Sequence, residues 1–477
     1  MSLSTAMKTA QSSFTNTALQ TAVASKNIAN ASNVNYARRA AMLSTAASGA
    51  TVVETQRAQN EALQKQNLLS ISKSYAQETV LAGTERLKTM LGGDEYELSV
   101  STYLSVLRDN LQTFADKPSE ASLAETVIAN AVDVANALNS QTQAVQEMRA
   151  EADADIELAV EELNRLLSEF ETYNNQVKSG TAAGRDVNDA LDQRDKLLGE
   201  ISAIIGVSSL TRTNNDMVLY TSDGTVLFET MPREVTFTPT STFTATVVGN
   251  GIFVEGVAVD TGSGGNTDAQ GTLSALLQIR DDIAPTFQSQ LDELARGLIS
   301  MFEDGGQPGL FTWMDGATES TVVPATMTTG LAGVIMVNPD VITAAGGDPM
   351  LLRDGINVDQ NPDENASFSD LLDGYAAAFE TTMTFDVSTG LDTSIGILSF
   401  ATASVGWVEQ LRSSATTASS DKSALLTRTQ EALLNVTAVS LDEELALLLD
   451  LEQSYKASAK LVAAVDEMMT ALLTAAG

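Results

Sequence analysis

Side chains that could hold a metal ion or catalyse a reaction are few in this sequence. The run from Asn357 to Glu364 places oxygen-bearing side chains at alternate positions, as a calcium-binding loop does. Pro362, however, stands where an EF-hand needs glycine, and no flanking pair of helices is evident. We therefore expect a solvated acidic turn here rather than a metal site.

The composition removes the usual catalytic groups. The 477 residues include no histidine and no cysteine, which excludes Ser-His and Cys-His nucleophiles, the commonest zinc ligand and any disulfide. The 62 acidic residues make chance pairs of carboxylates common, so no single pair indicates a glycosidase. The sequence predicts no catalytic residue, no cofactor and no metal, and hence no enzyme.

The charge balance limits the partners. With 27 basic residues the formal net charge is −35, which argues against nucleic acid and against anionic membrane surfaces. The 43% hydrophobic content is too high for a disordered chain, and no apolar run approaches the ~18 residues of a membrane helix. The first residues lack the apolar segment of a cleavable signal peptide, so composition alone indicates a cytoplasmic protein.

The strongest pattern is an apolar repeat between Ser440 and Leu473. Its spacing alternates between three and four residues, which is the coiled-coil period, and Ser440 with Glu443 fits a capping box. We predict a long helix that packs against other helices, the alternative being an ordinary helix packed within the chain. Only Ser458 interrupts the stripe, which consists of Leu441, Leu445, Leu448, Leu451, Tyr455, Val462, Val465, Met469 and Leu472.

A weaker repeat of the same period occupies the other end of the chain. Alanine and threonine at several of its positions suit close approach of two helices. We expect this helix and the C-terminal one to pair in antiparallel orientation as a coiled coil. The repeat includes Leu3, Met7, Ala10, Phe14 and Ile28.

Between these ends the periodicity changes several times, and we predict a mainly α fold with an inserted antiparallel β domain. Asp223-Gly224 and Asn250-Gly251 each lie between alternating apolar residues, as in hairpins with type I′ turns. The expected organisation is an N-terminal coiled-coil helix (1–35), a long-helix domain built from both halves of the chain (36–206, 265–304 and 366–438), the β domain (207–264), irregular loops or a lobe (305–365) and a C-terminal coiled-coil helix (439–477).

Three runs resemble motifs of bacterial flagellar axial proteins. Residues 25–38 read SKNIANASNVNYAR, similar to the family's signature SNNIANANTPGYSR, with Asn33-Val34-Asn35 in place of Thr-Pro-Gly. Residues 453–460 (QSYKASAK), followed by VDEM at 465–468, resemble the family's terminal helix. Residues 187–198 (VNDALDQRDKLL) resemble a motif of the junction proteins between hook and filament.

The resemblance implies a structural protein that assembles as a ring at the tip of the flagellar hook, outside the cell, after export without a cleaved signal. It implies four partners: further copies of the chain, the hook protein, the second junction protein, and an export chaperone on the C-terminal helix. The expected assembly interface comprises both apolar stripes together with Asn27 and Asn30. The alternatives are a filament protein, the second junction protein, or a secreted surface enzyme on a coiled-coil stalk.

Overall fold

The computed structural model describes residues 3–46 and 49–476. Their α-helices are α1 (Leu3–Ala29), α2 (Glu61–Met90), α3 (Val100–Asp116), α4 (Ala121–Ala182), α5 (Asn188–Ile204), α6 (Thr272–Gln278), α7 (Ala284–Met301), α8 (Leu351–Asp354), α9 (Asp370–Ala378), α10 (Ile397–Thr437) and α11 (Leu441–Ala476). Their strands are β1 (Arg39–Ala46), β2 (Gly49–Arg57), β3 (Val207–Thr211), β4 (Met217–Thr221), β5 (Val226–Phe228), β6 (Val235–Thr236), β7 (Phe253–Val254), β8 (Val257–Ala258), β9 (Phe311–Asp315), β10 (Thr318–Glu319), β11 (Ile335–Val337), β12 (Met383–Thr384) and β13 (Ser394–Ile395).

The fold is mostly helical (62%) with small antiparallel sheets, which confirms the predicted class. Contacts divide the described residues into two compact units. Unit 1 contains the described residues of Met1–Ser74, Glu162–Glu234 and Lys422–Gly477. Unit 2 contains Tyr75–Glu161 and Val235–Asp421. Each unit therefore combines segments that are distant in the sequence. Among the described residues, no helix is both long and apolar enough to cross a bilayer.

In unit 1, helix α1 leads into the antiparallel hairpin β1–β2, whose paired ends are Arg39 and Arg57. Sequence patterns did not predict this hairpin, because its strands are built largely from small and hydroxyl residues that give little alternation. The sheet β3–β4–β5 belongs to the same unit. Asp223-Gly224 lies in the turn between β4 and β5, as predicted. Only Gly224 has a positive φ (+90°), so the turn is not of the predicted type I′, which needs positive φ at both residues.

In unit 2, the helical stretch α6–α7 is buried on nearly every side and forms the centre of the core. A ring cluster of Phe302, Phe311, Tyr375 and Phe379 packs beyond its end. Residues 305–365, expected to be irregular, contain the sheet β10–β9–β11. The interval 207–264 holds two separate three-stranded sheets, β3–β4–β5 in unit 1 and β6–β7–β8 in unit 2.

The prediction of a hairpin at Asn250-Gly251 is wrong. Strand β7 pairs with β8 through a turn at Glu255-Gly256 instead, where both φ angles are positive. The reason is tertiary: the Asn250 carbonyl accepts a hydrogen bond from Arg280 Nη2 (2.7 Å), and its side chain donates to the Thr238 carbonyl (2.9 Å). These partners hold Asn250 in an extended loop.

Candidate assembly surface

The two terminal helices, α1 and α11, pair side by side within unit 1. The hydroxyl oxygens of Ser13 and Ser458 are 2.7 Å apart, and the rings of Phe14 and Tyr455 meet edge to face with centroids 4.9 Å apart. Just beyond the other end of α1, Arg38 Nε donates to Glu444 Oε1 (2.7 Å) near the start of α11. Rising numbers in α1 thus meet falling numbers in α11, so the pair is antiparallel.

Small side chains allow this close pairing. Ala10, Thr17 and Ala24 of α1 are buried, as are Leu451 and Val465 of α11. Ser458, which breaks the apolar stripe in the sequence, lies at the contact itself. The interior of the pair is therefore a narrow seam between one apolar face of α11 and a face of α1 rich in alanine and threonine.

The structure separates the predicted stripe residues by exposure. Ala10, Leu451 and Val465 are at most 7% exposed, and Phe14, Ile28, Leu448 and Val462 are half-buried. Helix α1 begins at Leu3, whose side chain lies outside the described part of the structure. The remaining predicted residues are about half exposed: Met7 (47%), Leu441 (48%), Leu445 (51%), Tyr455 (53%), Met469 (50%) and Leu472 (58%).

Two apolar rows of α11 stay in solvent. At roughly 100° per residue, the first outer row (Leu441, Leu445, Leu449) lies on one flank of the seam, and the second outer row (Leu461, Met468) lies on the opposite flank. Their side chains are 46–61% exposed. Leu472 lies seven residues after the buried Val465 and therefore continues the line of the seam. The sequence reading missed Leu449, Leu461 and Met468 because it fitted a single seam to the helix.

Asn27 has a different place from the one expected. It is fully buried: its Oδ1 accepts from the Tyr36 hydroxyl (2.9 Å) and the Arg39 N–H (3.0 Å), and its Nδ2 donates to the Arg39 carbonyl (2.8 Å). Asn30 Nδ2 donates to the Lys26 carbonyl (2.9 Å). Burial raises the pKa of Tyr36 to about 12. The asparagine-rich run thus closes the chain reversal after α1.

The run 187–198 meets this reversal. Arg39 Nη2 donates to Asp189 Oδ1 (2.6 Å) and to Asp192 Oδ2 (2.9 Å), and Lys26 Nζ lies 2.9 Å from Asp189 Oδ2. Two of the three resembling runs, separated by about 150 residues in the sequence, are therefore parts of one cluster. No periodicity or local motif could have indicated that they touch.

Two side-chain oxygens of the acidic turn 357–364 accept hydrogen bonds from the protein backbone. Asp359 Oδ1 accepts the Asn361 N–H (2.9 Å), and Asn361 Oδ1 accepts the Asn365 N–H (2.9 Å). Across residues 3–46 and 49–476, no group of three or more acidic side chains is arranged to hold a metal ion.

Comparison with known proteins places this architecture among flagellar axial proteins. The sequence model of the family described as "Flagellar hook-associated protein FlgK helical domain" matches residues 84–318. A second, "Flagellar basal body rod FlgEFG protein C-terminal", matches residues 430–475, which include α11.

Individual relatives point to one class of flagellar axial protein, the hook-associated proteins. Flagellar hook-associated protein 1 of Bacillus subtilis is 23% identical over 411 residues, covering 79% of this chain and 76% of that protein. The protein of the same name from Salmonella typhimurium is 25% identical over 146 residues, covering 30% of this chain and 26% of the relative. The structure of the flagellar hook junction protein FlgK from Burkholderia pseudomallei has a similar fold, with a TM-score of 0.57 at 14% identity, over 77% of this chain and 99% of that one. The chain is thus similar to flagellar hook-associated protein 1 in sequence over most of its length, and its fold is similar to that of a hook junction protein.

Proposed function

We propose that the two outer rows of α11 are the surface through which this chain assembles. The chain is a structural component of the bacterial flagellum at the junction of hook and filament, outside the cell. The observation that carries the proposal is five apolar side chains, 46–61% exposed, on a helix whose seam with α1 is already filled. Exposed apolar rows of this kind mark surfaces that a partner covers.

The placement of the rows favours contacts with more than one neighbour. Two rows on opposite flanks cannot both face one partner helix, whereas a subunit in a ring has a neighbour on each side. Completing the burial of a half-exposed leucine contributes about 1 kcal/mol, so five such residues give about 5 kcal/mol. Association costs about 4–15 kcal/mol, so one neighbour alone would hold a subunit weakly.

Further copies of the chain are the partners that we propose for these rows in the ring. The hook protein and the second junction protein are the proposed partners on either side of the ring along the flagellum. Before assembly, an export chaperone would cover α11, because the same leucines would otherwise stay in water. We propose no catalytic role, and the relatives above, named as hook-associated proteins, support a structural one.

The test compares charge placed on each outer row with charge placed elsewhere. Leu445→Asp and Met468→Asp are expected to leave the melting temperature unchanged, since each carboxylate can stay in water, and to abolish filament growth in cells that lack the native protein. Leu158→Asp is the matched control, because Leu158 is 64% exposed on α4 in unit 2. Normal filaments with both outer-row variants would overturn the proposal.

A further inference from the structure

The base of the β1–β2 hairpin places two like charges opposite each other. Arg39 and Arg57 are register partners in the antiparallel pair. Their side chains are only 2% and 11% exposed, so water does little to screen their repulsion. Like charges directly opposite on two strands are destabilising, so this hairpin base needs anions from elsewhere.

Helix α5 supplies these anions, which are three aspartates at successive intervals of three residues. Asp192 bridges the two arginines, accepting from Arg39 Nη2 (2.9 Å) and from Arg57 Nη1 (3.2 Å). Asp189 pairs with Arg39 (2.6 Å), and Asp195 pairs with Arg57 Nη2. The spacing keeps the three carboxylates on neighbouring positions of one helix face.

A fifth ion pair comes from the end of α1. Lys26 Nζ lies 2.9 Å from Asp189 Oδ2. Asp189 thus joins α1 and β1 to α5, while Asp192 joins β1 and β2 to it.

The two halves of α5 are held by different kinds of contact. In its C-terminal half, Leu197, Leu198 and Ile201 are buried, and the Ser202 hydroxyl donates to the carbonyl of Leu68 in α2 (2.7 Å). Its N-terminal half meets the hairpin through the three aspartates and through Asn188, whose Nδ2 donates to a carbonyl of β2 (2.8 Å). Apolar packing thus fixes α5 to α2, whereas charge and polar bonds fix the hairpin to α5.

We propose that Lys26, Arg39, Arg57, Asp189, Asp192 and Asp195 form an electrostatic latch. The latch fixes the chain reversal and the hairpin to α5, and it releases them as a unit, with the rest of unit 1 still folded, when the aspartates lose their charge. Ion pairs can release in this way because they expose little apolar surface when they part. This conformational device does not depend on the assembly function proposed above.

Unsatisfied atoms in the latch make it easy to open. Among the described residues, Arg39 Nε and Nη1 and Arg57 Nε are buried without a hydrogen-bond partner. Taking two charges out of water often costs as much as their attraction returns, and removing one partner leaves a buried charge uncompensated. Neutralising Asp192 would leave both arginines in that state.

Acid is the natural trigger. Burial raises the pKa of Asp192, so its carboxylate is neutralised at a higher pH than an exposed aspartate. The charged and titratable groups of the neighbouring elements are Tyr36 beside Arg39 (4.6 Å from ring centroid to guanidinium), Glu444 of α11, and Arg194 of α5. Tyr36 keeps its proton and Arg194 keeps its charge between pH 7 and pH 5. Burial acts on Asp189 too, but the hydrogen bonds from Lys26 and Arg39 outweigh it and lower the pKa of Asp189, so acid neutralises Asp192 before Asp189.

The test is hydrogen–deuterium exchange on the full-length chain, with protection factors corrected for intrinsic rates. In Asp189→Asn/Asp192→Asn, amides of residues 27–44 are expected to lose protection at least tenfold, while those of β4 and of the C-terminal half of α5 keep theirs. The matched control is Glu162→Gln/Glu169→Gln, which removes two carboxylates that pair with Arg165 on the exposed face of α4 in the same unit. The parent chain at pH 4 should reproduce the latch variant.

Two results would overturn the latch. Unchanged protection of 27–44 in the double variant would show that other contacts hold the hairpin. Loss of protection that extends through β4 and the C-terminal half of α5 would show that the ion pairs belong to the cooperative core and do not open separately.

Discussion

Two buried tyrosines differ in whether the hydroxyl has a partner. Tyr36 donates to Asn27 (2.9 Å), whereas the Tyr375 hydroxyl has no hydrogen-bond partner in the part of the chain that the structure describes. Both side chains are at most 7% exposed. Burial without a partner carries the full desolvation penalty of a hydroxyl.

The same substitution should therefore have opposite effects at the two sites. Tyr36→Phe is expected to lower the free energy of unfolding by about 1 kcal/mol, because it removes a satisfied bond, and Tyr375→Phe is expected to raise it by about 1 kcal/mol. Urea unfolding at pH 7 measures both, and each variant serves as the control for the other. A loss of stability in Tyr375→Phe would mean that its hydroxyl is hydrated or bonded in solution.

Asp292 in the core helix α7 is a buried carboxylate that titrates near neutral pH. Its oxygens accept the N–H groups of Gly330 (2.8 Å) and Ala332 (2.9 Å) and the Gln288 amide (3.0 Å), yet burial raises its pKa to about 6. Glu293, the next residue, raises it further. The folded chain thus holds this proton more tightly than the unfolded chain, in which the pKa is about 4.

The sign of the pH dependence follows. The contribution of protonated Asp292 to the free energy of unfolding is fully present below pH 4 and is lost as the pH rises through 6, a change of about 3 kcal/mol at most. The difference in unfolding free energy between the parent and Asp292→Asn isolates this contribution, because all other carboxylates are present in both proteins and their effects cancel. This difference should therefore fall as the pH rises from 4 to 7. A difference that is flat or that rises with pH would show that the three donors outweigh burial.

At the scale of elements, the pairing of α1 with α11 depends on small residues. Ser458→Leu would complete the apolar stripe in the sequence, but its side chain would enter the space now shared with Ser13 at 2.7 Å. We expect it to separate the two helices, with an overpacking cost of about 1–3 kcal/mol, whereas Ser458→Ala should cost less than about 1 kcal/mol. Amide exchange along residues 450–465 measures the separation, and slower exchange in Ser458→Leu than in the parent would contradict the prediction.

Periodicity predicted the elements that depend on local pattern. Half of the capping box predicted at Ser440 is present, with the Glu443 N–H 3.4 Å from the serine hydroxyl oxygen. Helix α4, in the predicted long-helix domain, is one helix of 62 residues from Ala121 to Ala182. Period, caps and glycine turns act within a few residues, so one sequence reveals them. The exposed rows of α11 were harder to predict from the sequence, because a helix with apolar residues on three sides matches more than one seam.

Features that depend on tertiary contacts could not be predicted from the sequence. Asn250-Gly251 has the composition of a hairpin turn, yet Arg280, thirty residues away, takes its carbonyl. The latch joins Arg39 to Asp192 across 153 residues, so each half reads as an ordinary surface charge until the fold is known. Charged residues carry no period that would indicate their partners.

On the scale of the whole molecule, charge has two opposing effects. Because 62 acidic residues outnumber 27 basic ones, 35 acidic residues would lack a basic counterpart even if every basic residue were paired, so repulsion opposes the compact state. Without histidine, this excess scarcely changes between pH 7 and pH 9. Ion pairs such as the latch act in the other direction.

Salt should separate these two effects. Raising NaCl from 0.01 M to 0.15 M shortens the Debye length from roughly 30 Å to 8 Å, which screens the long-range repulsion of the whole surface more than it weakens contacts of about 3 Å between buried groups. We therefore expect the melting temperature to rise by a few degrees, equally in the parent and in Asp189→Asn/Asp192→Asn, by calorimetry at pH 7.5. Choline chloride should act as NaCl does if ionic strength is the cause. A melting temperature that falls with salt in the parent but not in the latch variant would mean that ion pairs, the latch first among them, outweigh the repulsion.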